Sequence, residues 1–167
     1  MAFDELASKL KQKFGADAIS TSAFRDNDRL HVPADKLYAV LQYLKEKAGF
    51  DQLADATAVD YLNYPNAKDR FGVVYALLNV TSGQRVYVKT ALNEPDLTLP
   101  SAYPLWHGAD WMEREIYDMY GIVFDGHPDL RRILMPEEYT AFPLRKDYPL
   151  RGKGERHNFA GLTRAEG

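Results

Sequence analysis

Apolar positions near the N-terminus recur every three or four residues. Phe3, Leu6, Leu10 and Phe14 share a face with Ala7, the spacing of an amphipathic helix. Gly15 stands where a left-handed residue ends one. Two short β segments follow, about Ala18 to Phe24 and Arg29 to Val32, joined by the turn residues Asp26-Asn27-Asp28. Pro33 suits the first turn of a second helix, whose buried stripe is Leu37, Val40, Leu41 and Leu44 and which Gly49 ends. Leu53 to Leu62 alternates as a strand does. Phe71 to Val80 is nearly all apolar, which predicts a central strand covered on both faces. Ser82-Gly83-Gln84 makes a hairpin turn, and Arg85 to Thr90 pairs back.

Asn93 to Pro104 reads as loop, and a third helix is expected from about Leu105 to Tyr120. Its apolar face carries Ala109, Met112, Ile116, Met119 and Tyr120. Asp110, Arg114 and Asp118 step by four along another face, so Arg114 can pair with either acid. The pattern predicts an α+β fold. Its parts are a mixed or antiparallel sheet of about four strands, two helices on one face, a third helix and an extended C-terminal arm.

The periodicity fails after Gly121. Residues 122–151 are rich in apolar side chains but hold neither a helical nor a strand period. Pro128, Pro136, Pro143 and Pro149 interrupt them, and each proline removes a backbone donor and extends the residue before it. Such a segment builds no sheet of its own and is too apolar for a solvated linker. It must lie on a surface, either its own body or another chain. The chain therefore divides into a body, 1–121, and a partner-binding arm, 122–167, whose polar end from Arg156 to Gly167 can fray.

Charge follows the same division. Residues 1–127 carry 13 Lys+Arg against 18 Asp+Glu, a net of −5, and residues 128–167 carry 8 against 6, a net of +2. The arm's Arg131, Arg132, Arg145, Lys146 and Arg151 suit carboxylates, which arginine engages in bidentate fashion. Interspersed acids (Asp129, Glu137, Glu138, Asp147) and an overall charge of −3 argue against nucleic acid. The 167 residues contain no cysteine, which excludes disulfides, thiolate metal sites and a cysteine nucleophile. No apolar run reaches the roughly 18–20 residues of a membrane span. The acidic start, Met1 to Glu5, is unlike a secretory signal, so a cytosolic chain is expected.

The densest polar cluster is Glu113-Arg114-Glu115-Ile116-Tyr117-Asp118, followed by His127. Composition favours a solvated, ion-paired helix face. A small metallohydrolase using Glu115, Asp118 and His127 is the enzyme alternative, and a partner-binding face is the third. His127 reads as a structural histidine, and Trp106 and Trp111 as core or interface residues.

Taken as one string, Glu113-Arg114-Glu115-x-x-Asp118-Met119-Tyr120-Gly121, then His127-Pro128-Asp129-Leu130-Arg131-Arg132-Ile133-Leu134, resembles the 30 kDa, C-type subunit of the proton-pumping NADH:quinone oxidoreductase, respiratory complex I. Pro143-Leu144-Arg145-Lys146-Asp147-Tyr148-Pro149 fits the same family, and Gly154-Glu155-Arg156 fits it more loosely. The match covers residues 93–151, and the likeness over 1–92 is topological.

The resemblance implies a non-catalytic, cofactor-free subunit of the peripheral arm, with no catalytic, cofactor or metal residue of its own. It implies flavin, iron–sulfur clusters and quinone in partner subunits. It implies docking on the larger D-type subunit, beside the small iron–sulfur B-type subunit and near the quinone site. The place is the cytoplasmic face of the plasma membrane, where partners hold the chain. Carried over by position, Glu113, Arg114, Glu115, Asp118, His127, Pro128, Asp129, Arg131, Arg132, Arg145, Lys146, Asp147 and Tyr148 form the interface and position the tail. The chain is short for the family and resembles the form not fused to its D-type neighbour. Ferredoxin-dependent and F420-linked complexes and membrane-bound hydrogenases use a similar subunit.

Overall fold

The first helical stripe folds as expected. In the computed structural model, which describes residues 2–154, α1 spans Phe3–Phe14 and buries Leu6, Ala7 and Leu10. Gly15 follows at φ 107°. The hairpin β1 (Ser20–Phe24) and β2 (Asn27–His31) comes next. Its turn is tighter than the three polar residues suggested: Phe24 pairs with Asn27, which leaves only Arg25-Asp26, with Arg25 at φ 56°. A short 3₁₀ turn at Ala34–Lys36 leads into α2 (Leu37–Glu46), whose buried residues are the four predicted.

Three long strands complete the main sheet: β3 (Gln52–Asp60), β4 (Phe71–Leu78) and β5 (Arg85–Leu92). The order is β1-β2-β5-β4-β3, five strands rather than about four. All pairs are antiparallel except β2–β5, which is parallel and joins the N-terminal hairpin to the centre. A parallel pair needs a crossover, and no local pattern announces which strand will receive one.

β4 is covered on one face only. Phe71, Val73, Tyr75 and Leu77 are buried, whereas Val74, Ala76 and Leu78 are half-buried. Small and aliphatic residues on the outer side lie under the stems of longer polar neighbours rather than under a second layer. On the inner side the sheet meets α1, α2 and a third helix, α3 (Ala109–Tyr120), in one apolar core. Burying a leucine such as Leu41 there contributes about 2 kcal/mol.

α3 begins four residues later than its pattern suggested. Ala102 to Gly108 form turns instead, with the Leu105 and Trp106 N–H groups both donating to the Ala102 carbonyl. The proline-rich loop holds a short strand, β6 (Thr98–Pro100), which pairs in parallel with β7 (Val123–Asp125) just beyond α3. Ile122 and Phe124 join the body's core, and Tyr139 is also buried. Of the two surfaces open to the arm, its own body therefore takes up much of it. Residues 126–154 continue without helix or strand. Glu155-Arg156 of the looser motif and the end to Gly167 lie outside the described residues.

Candidate functional site

The polar cluster of α3 is not solvated. Glu113, Arg114 and Asp118 are buried, and only Glu115 among the cluster's ionised groups is exposed. Glu113 is covered by the loop at Ser101 and Ala102, and for Arg114 and Asp118 the reason is the arm. It crosses the helix with backbone groups that no regular element satisfies, and buried amides and carbonyls need partners.

Asp118 supplies the acceptors. Its Oδ2 receives the N–H groups of Ile133 (3.1 Å), Leu134 (2.7 Å) and Met135 (2.9 Å), and its Oδ1 receives Arg132 Nη1 at 2.6 Å. Burial alone would raise this carboxyl's pKa. The amides and the guanidinium outweigh it and hold the group below its ordinary value. Arg132 also donates to the carbonyls of Asp118 and Ala141, both at 3.2 Å, and lies over the rings of Tyr139 and Phe142.

Arg114 supplies donors to the same stretch. It reaches the carbonyls of Arg131 (3.2 Å) and Arg132 (3.3 Å) and stacks on Trp111. The expected pairing of Arg114 with Asp110 or Asp118 is thus replaced: Asp118 takes Arg132, and Arg114 takes backbone.

A second clasp lies at the end of the arm. Arg145 donates to the Tyr120 carbonyl at 2.6 Å and to Glu94 at 2.9 Å. The Lys146 N–H donates to Asp60 at 2.8 Å. Arg70 bridges Glu94 (2.6 Å) and Asp147 (2.7 Å), with Asp60 at 3.5 Å. Its hydrogen bond holds the Asp147 carboxyl below the usual range. Gly121, at φ 76°, lets Phe142 press onto the helix end, where a Cβ would stand 2.6 Å from the ring. Alanine there would meet both strain and a clash.

His127 closes the third contact. Its Nδ1 accepts the Asp129 N–H at 3.1 Å, so the geometry assigns the ring proton to Nε2. That nitrogen faces the Asp110 carbonyl at 3.2 Å, with Asp110 Oδ1 at 3.5 Å and Glu113 Oε2 at 4.0 Å. Glu113 receives the Ser101 hydroxyl and the Ala102 N–H, each at 2.6 Å. Burial pushes its carboxyl up to about 7.

Pro128 and Asp129 are exposed. Arg131 is too, paired with Asp129 at 2.9 Å. Tyr148 is half-buried, edge-on to Tyr139.

The metallohydrolase set is not brought together. Glu115 faces out, Asp118 is committed to Arg132 and three amides, and His127 turns to Asp110 and Glu113. No group of three or more His, Asp or Glu side chains that could hold a metal ion occurs among the described residues. No helix among them is long and apolar enough to cross a membrane.

Asp60, Arg70, Glu94 and Ser101 belong to the site and have no motif of their own. One carried a signal. Asp60 continues the inward positions Ala56 and Ala58 of β3, and a carboxylate at an inward position requires partners.

Known proteins resemble this chain in sequence and fold. The family model described as respiratory-chain NADH dehydrogenase, 30 kDa subunit, matches residues 30–154. The NADH-quinone oxidoreductase C subunit of Trichlorobacter lovleyi is 44% identical over 146 residues, covering 87% of this chain and 89% of that protein. The C 1 subunit of Rhizobium meliloti is 46% identical over 153 residues, covering 90% and 74%. Among solved structures, a trypsin-resistant fragment of Nqo5 superposes with a TM-score of 0.67 at 34% identity, covering 74% of this chain and 98% of the fragment. A chain of the membrane-bound sulfane sulfur reductase, an archaeal respiratory membrane complex, gives 0.74 at 27% identity, covering 96% and 93%. The relatives named are subunits of an enzyme complex, and with the family model spanning most of its length this chain belongs to the 30 kDa subunit family of the respiratory-chain NADH dehydrogenase.

Proposed function

We propose that the chain is a non-catalytic structural subunit of the peripheral arm of a proton-translocating NADH:quinone oxidoreductase. It docks on the D-type subunit near the quinone-reduction site and supports electron transfer between cofactors that its partners hold. It works at the cytoplasmic face of the plasma membrane and associates with the membrane through those partners.

One observation carries the reading. The arm's Arg132 and Arg145 are spent on the protein's own backbone and on Asp118 and Glu94 respectively. Its Leu134, Leu144 and Leu150 face outward, with Trp111 of α3 also exposed. An exposed large apolar set on an internally fastened segment marks an interaction surface. In this division Glu113, Arg114, Asp118, His127, Arg132 and Arg145 position the arm. Glu115, Pro128, Asp129, Arg131, Lys146, Asp147 and Tyr148 form the polar rim of the interface.

Co-expression with the D-type partner tests it. Leu134→Asp combined with Leu150→Asp should lower co-purification by about tenfold or more, as expected when buried anchors are charged, while thermal melting of the isolated chain stays near wild type. Undiminished co-purification of the double variant overturns the reading.

The second reading is the equivalent subunit of a related complex with another electron donor. It is supported by the superposition of 96% of this chain on a chain of the archaeal membrane-bound sulfane sulfur reductase, with a TM-score of 0.74. Assaying the purified complex with NADH and with reduced ferredoxin separates the two.

A further inference from the structure

Among the described residues no helix covers the sheet's outer face. Pairing register and alternation place Asn27, Arg29 and His31 of β2, Tyr87 and Lys89 of β5, and Val74 of β4 on that face. Tyr61, just past β3, lies across Gly72, where a Cβ would stand 2.9 Å from its ring and 3.1 Å from Lys89 Cε. Lys89 donates to the Tyr61 hydroxyl at 2.8 Å and stands 4.4 Å from the ring centroid. Arg29, Lys89, Tyr61 and Tyr87 line an open hollow of about 300 Å³ with Asn27 and Val74, and no carboxylate among the described residues lines it.

The electrostatics of this face differ from those elsewhere in the molecule. The arginines at the arm, Arg70, Arg132 and Arg145, each meet a carboxylate within 3 Å. Arg29 and Lys89 are half-buried and have no carboxylate partner among the described residues. Asp28 adjoins Arg29 in β2 at a position alternating to the other face, Asp55 lies on the outer side of β3, and Asp69, which shares an adjoining hollow with Lys89, accepts from the Asn93 side chain at 2.7 Å. Burial, and then the charges of Lys89 and Arg29, hold the His31 imidazole below its ordinary value. Half-buried cations without a counter-charge favour an anionic neighbour.

We propose that this outer sheet face is a second docking surface, distinct from the arm, and that it takes an acidic polypeptide segment of a neighbouring subunit through Lys89 and Arg29. That the neighbour is a subunit rests on the complex reading above. Carboxylates fit the face better than a nucleic acid does. The Tyr61 ring lies against Gly72 under the Lys89 ammonium, so it offers no free platform for a base. The chain's overall charge of −3 also opposes a polyphosphate.

The test uses the complex purified through a tag on this chain, beside the isolated chain. Both are acetylated with N-hydroxysuccinimidyl acetate, and Lys89 is read by mass spectrometry against the exposed Lys47. In parallel, carbodiimide joins amines to carboxylates at zero length. The expected result is Lys89 acetylation slowed about tenfold on assembly, as solvent exclusion in an interface core requires, with Lys89 coupled to an Asp or Glu of another chain. Lys89 reacting equally in both samples while other subunits co-purify overturns this proposal and leaves the complex reading standing. Protection that nuclease treatment removes overturns it in favour of nucleic acid. Absence of any co-purifying chain overturns both.

Discussion

The body and the arm are held by different physics. In the body, alternating strands and helical stripes bury apolar side chains in one core, and the polar groups of the backbone satisfy one another. In the arm β7 pairs with β6 and several turns close on their own backbone, but the stretch 132–135 has no backbone partner among the described residues. Here N–H and C=O groups are satisfied by side chains reaching up from α3: a carboxylate for three amides, a guanidinium for two carbonyls. A segment too short of period to make a sheet is thereby fixed in place by a few charged residues. A loss in the core is felt by every element packed on it, whereas the arm depends on a handful of groups.

The largest effect should follow from Asp118→Ala. It strands three amides and the Arg132 guanidinium and should cost the arm about 4 kcal/mol. Hydrogen exchange should then show the Ile133, Leu134 and Met135 amides losing protection while β4 and β5 keep theirs. Equal loss in both would mean that arm and body unfold as one unit and that the contrast is wrong. Leu41→Ala should do the opposite. Its cavity costs about 3 kcal/mol, and urea unfolding should show the whole chain weakened, strands included.

Glu113 belongs to both regions, because it fastens the loop after β6 to α3 and lies 4.0 Å from His127. Its carboxyl sits at about 7 when folded, against an ordinary value of 4.5. The folded protein therefore keeps a proton that the unfolded chain has released, and stability falls as pH rises from 4.5 to about 7. The loss should reach roughly 3 kcal/mol, and Glu113→Gln should flatten it. Denaturation midpoints at pH 5 and pH 8 for both proteins check this, and parallel slopes would remove Glu113 as the cause. The smallest effect is expected from Arg131→Ala. Its exposed pair with Asp129 should contribute less than about 0.5 kcal/mol to the isolated chain, so any larger change would place Arg131 among the fastening groups.

Much of the body was legible in the sequence because burial there follows the period of each element. Leu37, Val40, Leu41 and Leu44 are the buried residues of α2 as their spacing implied, and Gly121 ends α3 in the left-handed region. The fifth strand depended on a parallel pairing between β2 and β5, a long-range choice that leaves no local mark. The charged residues of α3 were legible as a motif but not as a buried one. Helical spacing shows which side chains share a face, not what crosses that face, and here a non-repeating segment 14 to 17 residues downstream supplies Asp118 with all its side-chain partners. Arg70 and Glu94 were invisible for the same reason, since each acts on a residue 51 or more positions away.

Asp118 acts toward the loop above it as a bound phosphate acts toward a glycine-rich turn: one anion gathers consecutive amides and gives the turn its shape. The anion here is tethered to a helix rather than borrowed from solution. The loop's conformation is consequently a readout of whether α3 is intact. Because Asp118 sits in the last turn of α3, fraying of that turn would take the shared acceptor away from the amides of residues 133–135.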